Sequence, residues 1–229
     1  MLKGWPQRLT QQRDGIGMTD TRSRLIQAAL DTLREDGLAA ASARSVAARA
    51  GANQALVFYH FGTVSQLFEA ASNHAVDESV GHYRDAFAGA ESLADLLDVG
   101  RALHERERGN GNVTLMAQVM SGARQDPALT RASQYAMAAW TSQITVVLER
   151  VLATSPVADL IDIDGLAHLI SAGFIGLELY DGVDAEGSSR ALDTLGGLAQ
   201  LVDVVDGLGP VARRALRARV GSTARPAWR

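Results

Sequence analysis

The stretch VAARAGANQALVFYHF, residues 46–61, decides the fold of this chain. Its pattern predicts a short helix over about residues 44–50, which Gly51 ends, and a second short helix over residues 54–61 with Asn53 as its N-cap. Such short helices are not stable alone, because nucleation costs most of the free energy that a few hydrogen bonds return. Both helices must therefore pack against a neighbouring element.

That neighbour is predicted to be an amphipathic helix that begins near residues 19–21 and ends before Gly37. Its apolar stripe consists of Leu25, Ile26, Ala29, Leu30 and Leu33. A three-helix unit of this kind presents its last helix outward, as helix-turn-helix proteins do when they enter the major groove of DNA. An ordinary helical corner has the same spacing, so the spacing by itself leaves both interpretations open.

Helical patterns continue through the rest of the chain, whereas strand and hairpin patterns are almost missing. A long helix is predicted over about residues 64–87. Further helices are predicted at about 91–107, 112–123, 127–153, 163–183 and 188–206. The predicted fold class is therefore all-α.

Charge is distributed unevenly along the 229 residues. Residues 1–62 carry a net charge of +3, residues 63–206 carry −13 and residues 207–229 carry +6. A basic head and tail on an acidic body is typical of a protein that contacts phosphate at selected places, although solvation alone explains the tail equally well. The chain has no cysteine, which excludes disulfides and thiolate metal sites. No apolar run approaches the length of about 18 residues that a membrane span needs, so no membrane partner is predicted.

Residues 46–61, followed by Leu67-Phe68, make the segment from about residue 20 to residue 70 resemble the TetR family of bacterial repressors. The resemblance implies a homodimer that binds a near-palindromic DNA operator and is released by a ligand in the C-terminal domain. A cytoplasmic location is expected separately, because the absence of cysteine suits a reducing compartment. It also implies a division of the chain. We expect a disordered arm at 1–18, a helix-turn-helix DNA-binding domain at 19–64, a ligand-binding and dimerisation domain at 65–207, and a basic C-terminal helix and tail at 208–229.

The resemblance places the DNA contacts on the second short helix and at the start of the first. Gln54 could pair with adenine, while Ala55 and Leu56 could contact thymine methyl groups. Tyr59 and His60 match positions that contact the DNA backbone in the family. The full predicted set is Ser42, Arg44, Asn53, Gln54, Ala55, Leu56, Phe58, Tyr59 and His60. Alternatively, Phe58 and Tyr59 could seal a domain seam, and His60 could bridge two helices.

The chain departs from the family pattern at three places. Phe58 stands where a tyrosine is usual, Thr63-Val64 replaces the common Ser-Lys, and the recognition helix contains no Lys or Arg. The first two changes remove groups that would bind phosphate. We therefore expect the affinity for DNA to depend more on Arg44 and on the N-terminal arm.

Aromatic residues and methionines in the acidic body favour a pocket for an apolar ligand, because methionine adapts its shape and tryptophan offers a large face. The predicted set is Tyr83, Phe87, His104, Met116, Met120, Met137, Trp140, Phe174 and Glu178. His104, Gln118 and Glu178 could orient the ligand through hydrogen bonds. Core packing, or a satisfied buried hydrogen bond, is the ordinary role that each of these residues could have instead.

The last two long helices are predicted to form the dimer interface, as a four-helix bundle with those of a second subunit. The predicted interface residues are Leu166, Ile170, Gly173, Leu177, Leu195 and Val202. Packing within one chain is the alternative. Ligand binding is expected to move the helix at 64–87 and so to change the separation of the two recognition helices, which must be about 34–36 Å to enter successive major grooves.

Two other function classes compete with a DNA-binding regulator. An enzyme is disfavoured, because the sequence has no HExxH pattern, GxSxG elbow, P-loop or Gly-rich dinucleotide turn. Accordingly, no catalytic residue, metal ligand or cofactor is predicted. A helical adaptor that binds a protein partner would keep the same fold but would show no salt-dependent affinity for duplex DNA.

Overall fold

The computed structural model describes residues 8–209 except 154, 156, 157, 159 and 160, together with residues 211, 212, 214, 215, 218 and 219. Within these residues the regular elements are nine α-helices, which confirms the predicted all-α class. They are α1 (Arg8–Glu35), α2 (Ala43–Arg49), α3 (Gln54–Phe61), α4 (Val64–Gly89), α5 (Leu93–Asn110), α6 (Asn112–Gly122), α7 (Pro127–Leu152), α8 (Ile163–Asp181) and α9 (Ala185–Asp206).

The start of α1 differs from the prediction. The helix begins at Arg8 and not near residues 19–21, so residues 8–18 of the expected disordered arm are helical. From Leu9 to Thr19 the sequence contains no proline, so a helix that is nucleated in its packed part can extend backwards, although Gly15 and Gly17 disfavour it. Residues 1–7 of the expected arm, and most of the expected tail at 208–229, lie outside the described residues.

The chain forms two compact units, and the first comprises the chain up to Val76 together with Thr114–Ala136. Its core contains side chains with no exposed area from four helices: Leu25, Leu30 and Leu33 of α1, Val46 of α2, Val57 of α3 and Leu67 of α4. The unit extends beyond the expected domain at 19–64. The reason is that Leu115 and Val119 of α6, and Leu129 and Ala132 of α7, are buried in the same core.

The second unit comprises Asp77–Val113 and the chain from Met137 onward. Its core centres on Val147, Leu148 and Leu152 of α7, each at most 1% exposed. Arg150 donates hydrogen bonds to the carbonyl oxygens of Phe87 and Ala90, both at 2.7 Å. These bonds satisfy acceptors that the end of α4 leaves without a helical partner, and so connect α7 to that end.

Among the described residues, one helix is long and apolar enough to cross a membrane. This is α8, with a mean hydropathy of 1.2 over an 18-residue window of which 17% is buried. Length and composition are the whole of that criterion, and core helices of many proteins also meet it.

The turn between α2 and α3 depends on Gly51, whose φ of +60° lies in the left-handed region. There the amide of Gly51 donates to the carbonyl of Ala48 at 3.2 Å, and the amide of Ala52 donates to that of Ala47 at 2.9 Å. A Cβ atom on Gly51 would meet nothing within 4 Å. Glycine is therefore required here by backbone conformation and not by space.

Replacing Gly51 by alanine is expected to lower the free energy of unfolding by roughly 1 kcal/mol, because a Cβ atom is strained in the left-handed conformation. The matched control is Gly81→Ala in α4, where a Cβ also meets nothing within 4 Å. The control should raise the free energy of unfolding by about 0.5–1 kcal/mol, since alanine favours helix. Denaturant titration of both variants measures the difference, and effects of the same sign would contradict this account.

Candidate nucleic-acid interface

The first short helix, α2, is held at both ends. At its start the amide of Ser45 donates to Ser42 Oγ at 3.1 Å, and the amide of Ser42 donates to Ser45 Oγ at 2.9 Å. At its end Arg49 donates to Glu35 Oε2 at 2.6 Å and to Asp36 Oδ2 at 3.0 Å. The hydrogen bond to Glu35 is the main cause that raises the pKa of Arg49. Arg49 thus holds α2 to the end of α1.

The second short helix, α3, begins at a capped end and turns one face to the core. Asn53 Oδ1 accepts a hydrogen bond from the amide of Ala55 at 2.9 Å, as expected of an N-cap. Val57 is fully buried, and Leu56 and Phe61 are half-buried against the same core. The predicted contact of Leu56 with a thymine methyl group therefore competes with a packing role for its side chain.

The opposite face of α3 is open to solvent. It consists of Gln54, Ala55, Phe58 and Tyr59, which together we call the reading face. Phe58 is 48% exposed and Tyr59 is 69% exposed, so neither ring is buried in the core of the first unit. His60 is half-buried and meets Tyr59 edge-on, with the ring centroids 5.0 Å apart. Two large exposed aromatic rings on a short helix are typical of a binding surface.

The arginines near the reading face differ in what they contact. Arg24 pairs with Asp20 at 3.3 Å, and its guanidinium also donates to the carbonyl of Ala50 at 3.4 Å. Arg22 stacks over the ring of Phe61, 5.2 Å from its centroid. Arg44 is exposed near the start of α2 and, among the described residues, has no hydrogen-bond or ion-pair partner. Its guanidinium is available to an anion.

Sequence reasoning missed the role of Arg49, because its partners lie 14 and 13 residues earlier in the chain. A cation just before the turn looks like a phosphate ligand when only its charge is considered. The available signal was the acidic pair Glu35-Asp36 at the predicted end of α1.

The predicted ligand-binding residues are divided between the two units. Met116 and Met120 lie in the first unit, and the other seven lie in the second. In the second unit Tyr83 and Phe87 are buried, with their ring centroids 6.5 and 6.2 Å from that of Trp140. Trp140 and Phe174 are half-buried against the same core.

The polar residues proposed to orient a ligand already contact protein groups. His104 Nδ1 lies 2.6 Å from Glu178 Oε1, and both side chains are at most 10% exposed. His104 Nε2 lies 3.7 Å from a carboxylate oxygen of Asp181. Gln118 belongs to the first unit, where its Oε1 accepts a hydrogen bond from the amide of Leu38 at 2.6 Å. His104 and Glu178 therefore contact each other within the second unit, and Gln118 makes a contact that the sequence did not predict.

The predicted dimer residues fall into two groups, those packed against the core of their own unit and those more open to solvent. Leu166, Ile170 and Val202 pack against the core of their own unit, as the alternative allowed. Gly173 and Leu195 are exposed, and Leu177 is half-buried. The large exposed apolar side chains of α8, its C-terminal turn and α9 are Leu169, Leu179, Tyr180, Val183, Leu195, Leu198, Leu201 and Val204. We call these eight side chains the apolar face.

Comparison with known proteins agrees with the geometry of the first unit. The sequence signature of the bacterial regulatory proteins of the tetR family matches residues 25–71. Over this segment the chain is similar to the TetR family. The match contains residues 25–35 of α1 and all of α2 and α3, so the reading face lies on the second short helix of a TetR-type helix-turn-helix.

A curated relative of this chain is an HTH-type transcriptional repressor of Mycobacterium tuberculosis. It is 37% identical over 92 residues, which are 40% of this chain and 45% of the relative. The match thus spans less than half of the relative's length.

Solved structures resemble the chain over more of its length. A Rhodococcus protein described as a TetR-family transcriptional regulator has a TM-score of 0.66 at 24% identity, over 82% of this chain and 98% of its own. A gamma-butyrolactone receptor described as ArpA-like has a TM-score of 0.54 at 21% identity, over 90% of this chain and 99% of its own. At these identities the similarity shows a shared fold.

Proposed function

We propose that this protein is a dimeric, cytoplasmic TetR-family repressor that binds a palindromic DNA operator and releases it when a small apolar effector binds. The observation that carries the proposal is the solvent-exposed reading face of α3, with the exposed guanidinium of Arg44 at the start of the preceding helix. The repressor function that the mycobacterial relative's name states supports the same conclusion.

The chemistry of the reading face suits a duplex groove. The carboxamide of Gln54 can donate to adenine N7 and accept from its N6 amino group, and the methyl group of Ala55 can contact that of thymine. The hydroxyl of Tyr59 and the guanidinium of Arg44 are suited to phosphate oxygens, which set register but carry no sequence information. Phe58 lacks a hydroxyl, so its exposed ring is left for apolar contacts with sugar or thymine methyl groups.

Loss of a base contact and loss of a phosphate contact should give different DNA-binding defects. Gln54→Ala should weaken binding to the operator by about tenfold or more, with little change on unrelated duplex, because a bidentate base contact contributes roughly 1–3 kcal/mol of discrimination. Arg44→Ala should weaken binding to both duplexes and reduce the salt slope of log K by about 1 per subunit. Fluorescence anisotropy with the DNA that flanks its own gene, at two salt concentrations, measures both effects.

The matched control is Arg84→Ala, which removes an exposed arginine of α4 from the second unit. It should leave the affinity and the salt slope unchanged. Wild-type protein that binds no duplex, or binds without salt dependence, would contradict the proposal and favour the helical adaptor.

A second copy of the chain is proposed to cover the apolar face. Eight large apolar side chains, from Leu179 with 48% exposure to Val183 with 86%, are costly to leave in water. A Cβ atom added to Gly173 or Gly176 of α8 would meet nothing within 4 Å, so the helix has room there for close approach. Two-fold pairing of α8 and α9 gives a four-helix bundle and explains why α8 is both apolar and exposed.

A charge within the apolar face should dissociate the dimer. Leu169→Lys is expected to raise the dimer Kd by about 100-fold or more, since it places an unpaired charge in a dry interface. Val146→Lys is the matched control, because Val146 is 56% exposed on α7 and outside the apolar face. Sedimentation velocity at several protein concentrations measures both, and a Leu169→Lys protein as dimeric as the control would contradict this interface.

The effector is proposed to bind in the second unit beside the cluster of Tyr83, Phe87, Trp140 and Phe174. Aromatic side chains there offer apolar area, and the name of the gamma-butyrolactone receptor states that a protein of this fold binds a small molecule. Because α4 runs from the first unit into the second, we propose that the effector shifts α4 and with it the spacing of the recognition helices. The effector can do so only to the extent that it binds the two states with different affinity.

An organic extract of the purified protein, separated and identified by mass spectrometry, is expected to contain an apolar compound that weakens operator binding when it is added back. Trp140→Leu should reduce this response and leave the affinity for the operator without the compound unchanged. If no extracted compound alters operator binding, or if Trp140→Leu responds like the wild type, the proposed effector site is contradicted while the proposed DNA binding stands.

A further inference from the structure

The C-terminal part of α6 and the N-terminal part of α7 form a corner, residues 114–136, that belongs to the same unit as α2 and α3. From this corner the half-buried side chain of Gln118 reaches the turn between α1 and α2. Its Oε1 accepts a hydrogen bond from the amide of Leu38 at 2.6 Å. Leu38 directly follows Gly37, whose φ of +79° lies in the left-handed region and turns the chain away from the end of α1. The turn thus has an acceptor that lies 80 residues away in sequence.

The side chain of Leu38 is held by the same corner. A Cβ atom built on Gly122 would lie 3.2 Å from Leu38 Cδ2 and 2.6 Å from Leu129 Cδ1. Both leucines therefore pack directly onto the backbone of α6. Leu38 is fixed through its amide by one residue of the corner and through its side chain by another.

The corner also holds the start of α4, on the other side of the helix-turn-helix in sequence. A hydrogen bond from Ser65 is the main cause that lowers the pKa of Asp126. Arg131 donates to Glu69 with both arms of its guanidinium, at 2.8 and 2.5 Å. The segment that contains α2 and α3 is therefore held to the corner at two places. The first anchor is Leu38, which precedes α2, and the second is the start of α4, which follows α3.

The first anchor bears directly on the orientation of α2. Arg49 fixes the end of α2 to Glu35 and Asp36. The start of α2, in contrast, follows the turn that contains Leu38. A shift of that turn would tilt α2, and α3 would follow because its Val57 shares the core with Val46. Base contacts tolerate errors of only about 0.5 Å, so a small tilt is sufficient to impair them.

We propose that Gln118 is a positioning residue for DNA binding, which orients the reading face by accepting the hydrogen bond from Leu38. This inference rests on the proposed function, since it concerns the affinity for the operator. The competing explanation is that Gln118 only stabilises the unit, in which case any variant of equal stability would bind DNA equally well.

Two variants of similar size separate these explanations. Gln118→Met keeps the length of the side chain and removes the acceptor, whereas Gln118→Glu keeps an acceptor oxygen at the same distance from the helix. We expect Gln118→Met to weaken operator binding about tenfold, and the amide of Leu38 to exchange with deuterium about tenfold faster. Gln118→Glu should restore both to within roughly threefold of the wild type.

Ser133→Ala serves as the stability control, since its hydroxyl donates only to the carbonyl of Leu129 one turn earlier in α7. It should leave operator affinity unchanged. Operator binding by Gln118→Met at wild-type strength, or an equal loss in Gln118→Met and Ser133→Ala, would overturn the inference. Wild-type protein that fails to bind duplex would instead contradict the proposed function, and amide exchange at Leu38 would still report on the hydrogen bond.

Discussion

Burial of the short helices α2 and α3 against α1 is the constraint on which the rest of the structure depends. Neither helix is long enough to be stable alone, so each exists only because Val46 and Val57 are removed from water in the shared core. That requirement assigns one face of α3 to packing. The other face is exposed to solvent, and it is the face we propose to contact DNA.

The polar groups around these helices are also divided, between those that hold the helices in place and those that stay exposed. Arg49 and Ser42 are engaged in holding α2, and Asn53 caps α3. Arg44 and the reading face are the groups that we propose to bind DNA. A helix-turn-helix whose recognition helix has no Lys or Arg must then rely on shape and a few well-placed hydrogen bonds. Precise placement of α3 matters more in such a protein, because long-range attraction to phosphate contributes less.

Most of the fold could be predicted from the sequence, because helical periodicity, caps and glycines are local signals. The bounds of α3 agree with the prediction exactly at Gln54 and Phe61, where Asn53 and Gly62 provide clear ends. The predicted start of α1 was wrong by about eleven residues. The reason is that a helix that grows from a packed nucleus needs no N-cap residue in the sequence to mark its start. For the candidate site, exposure of Gln54, Ala55 and Tyr59 was predictable, whereas the inward position of Leu56 was not.

The sequence by itself determined the all-α class, the helix-turn-helix and its resemblance to the TetR family, because these depend on the order and spacing of residues within about 50 positions. Tertiary structure alone decided which apolar side chains of α8 face the core, that Arg49 pairs with Glu35, and that Gln118 accepts a hydrogen bond from the turn at Leu38. Each of these depends on which distant segments meet. Periodicity shows that a helix has an apolar side, but only packing shows what covers it.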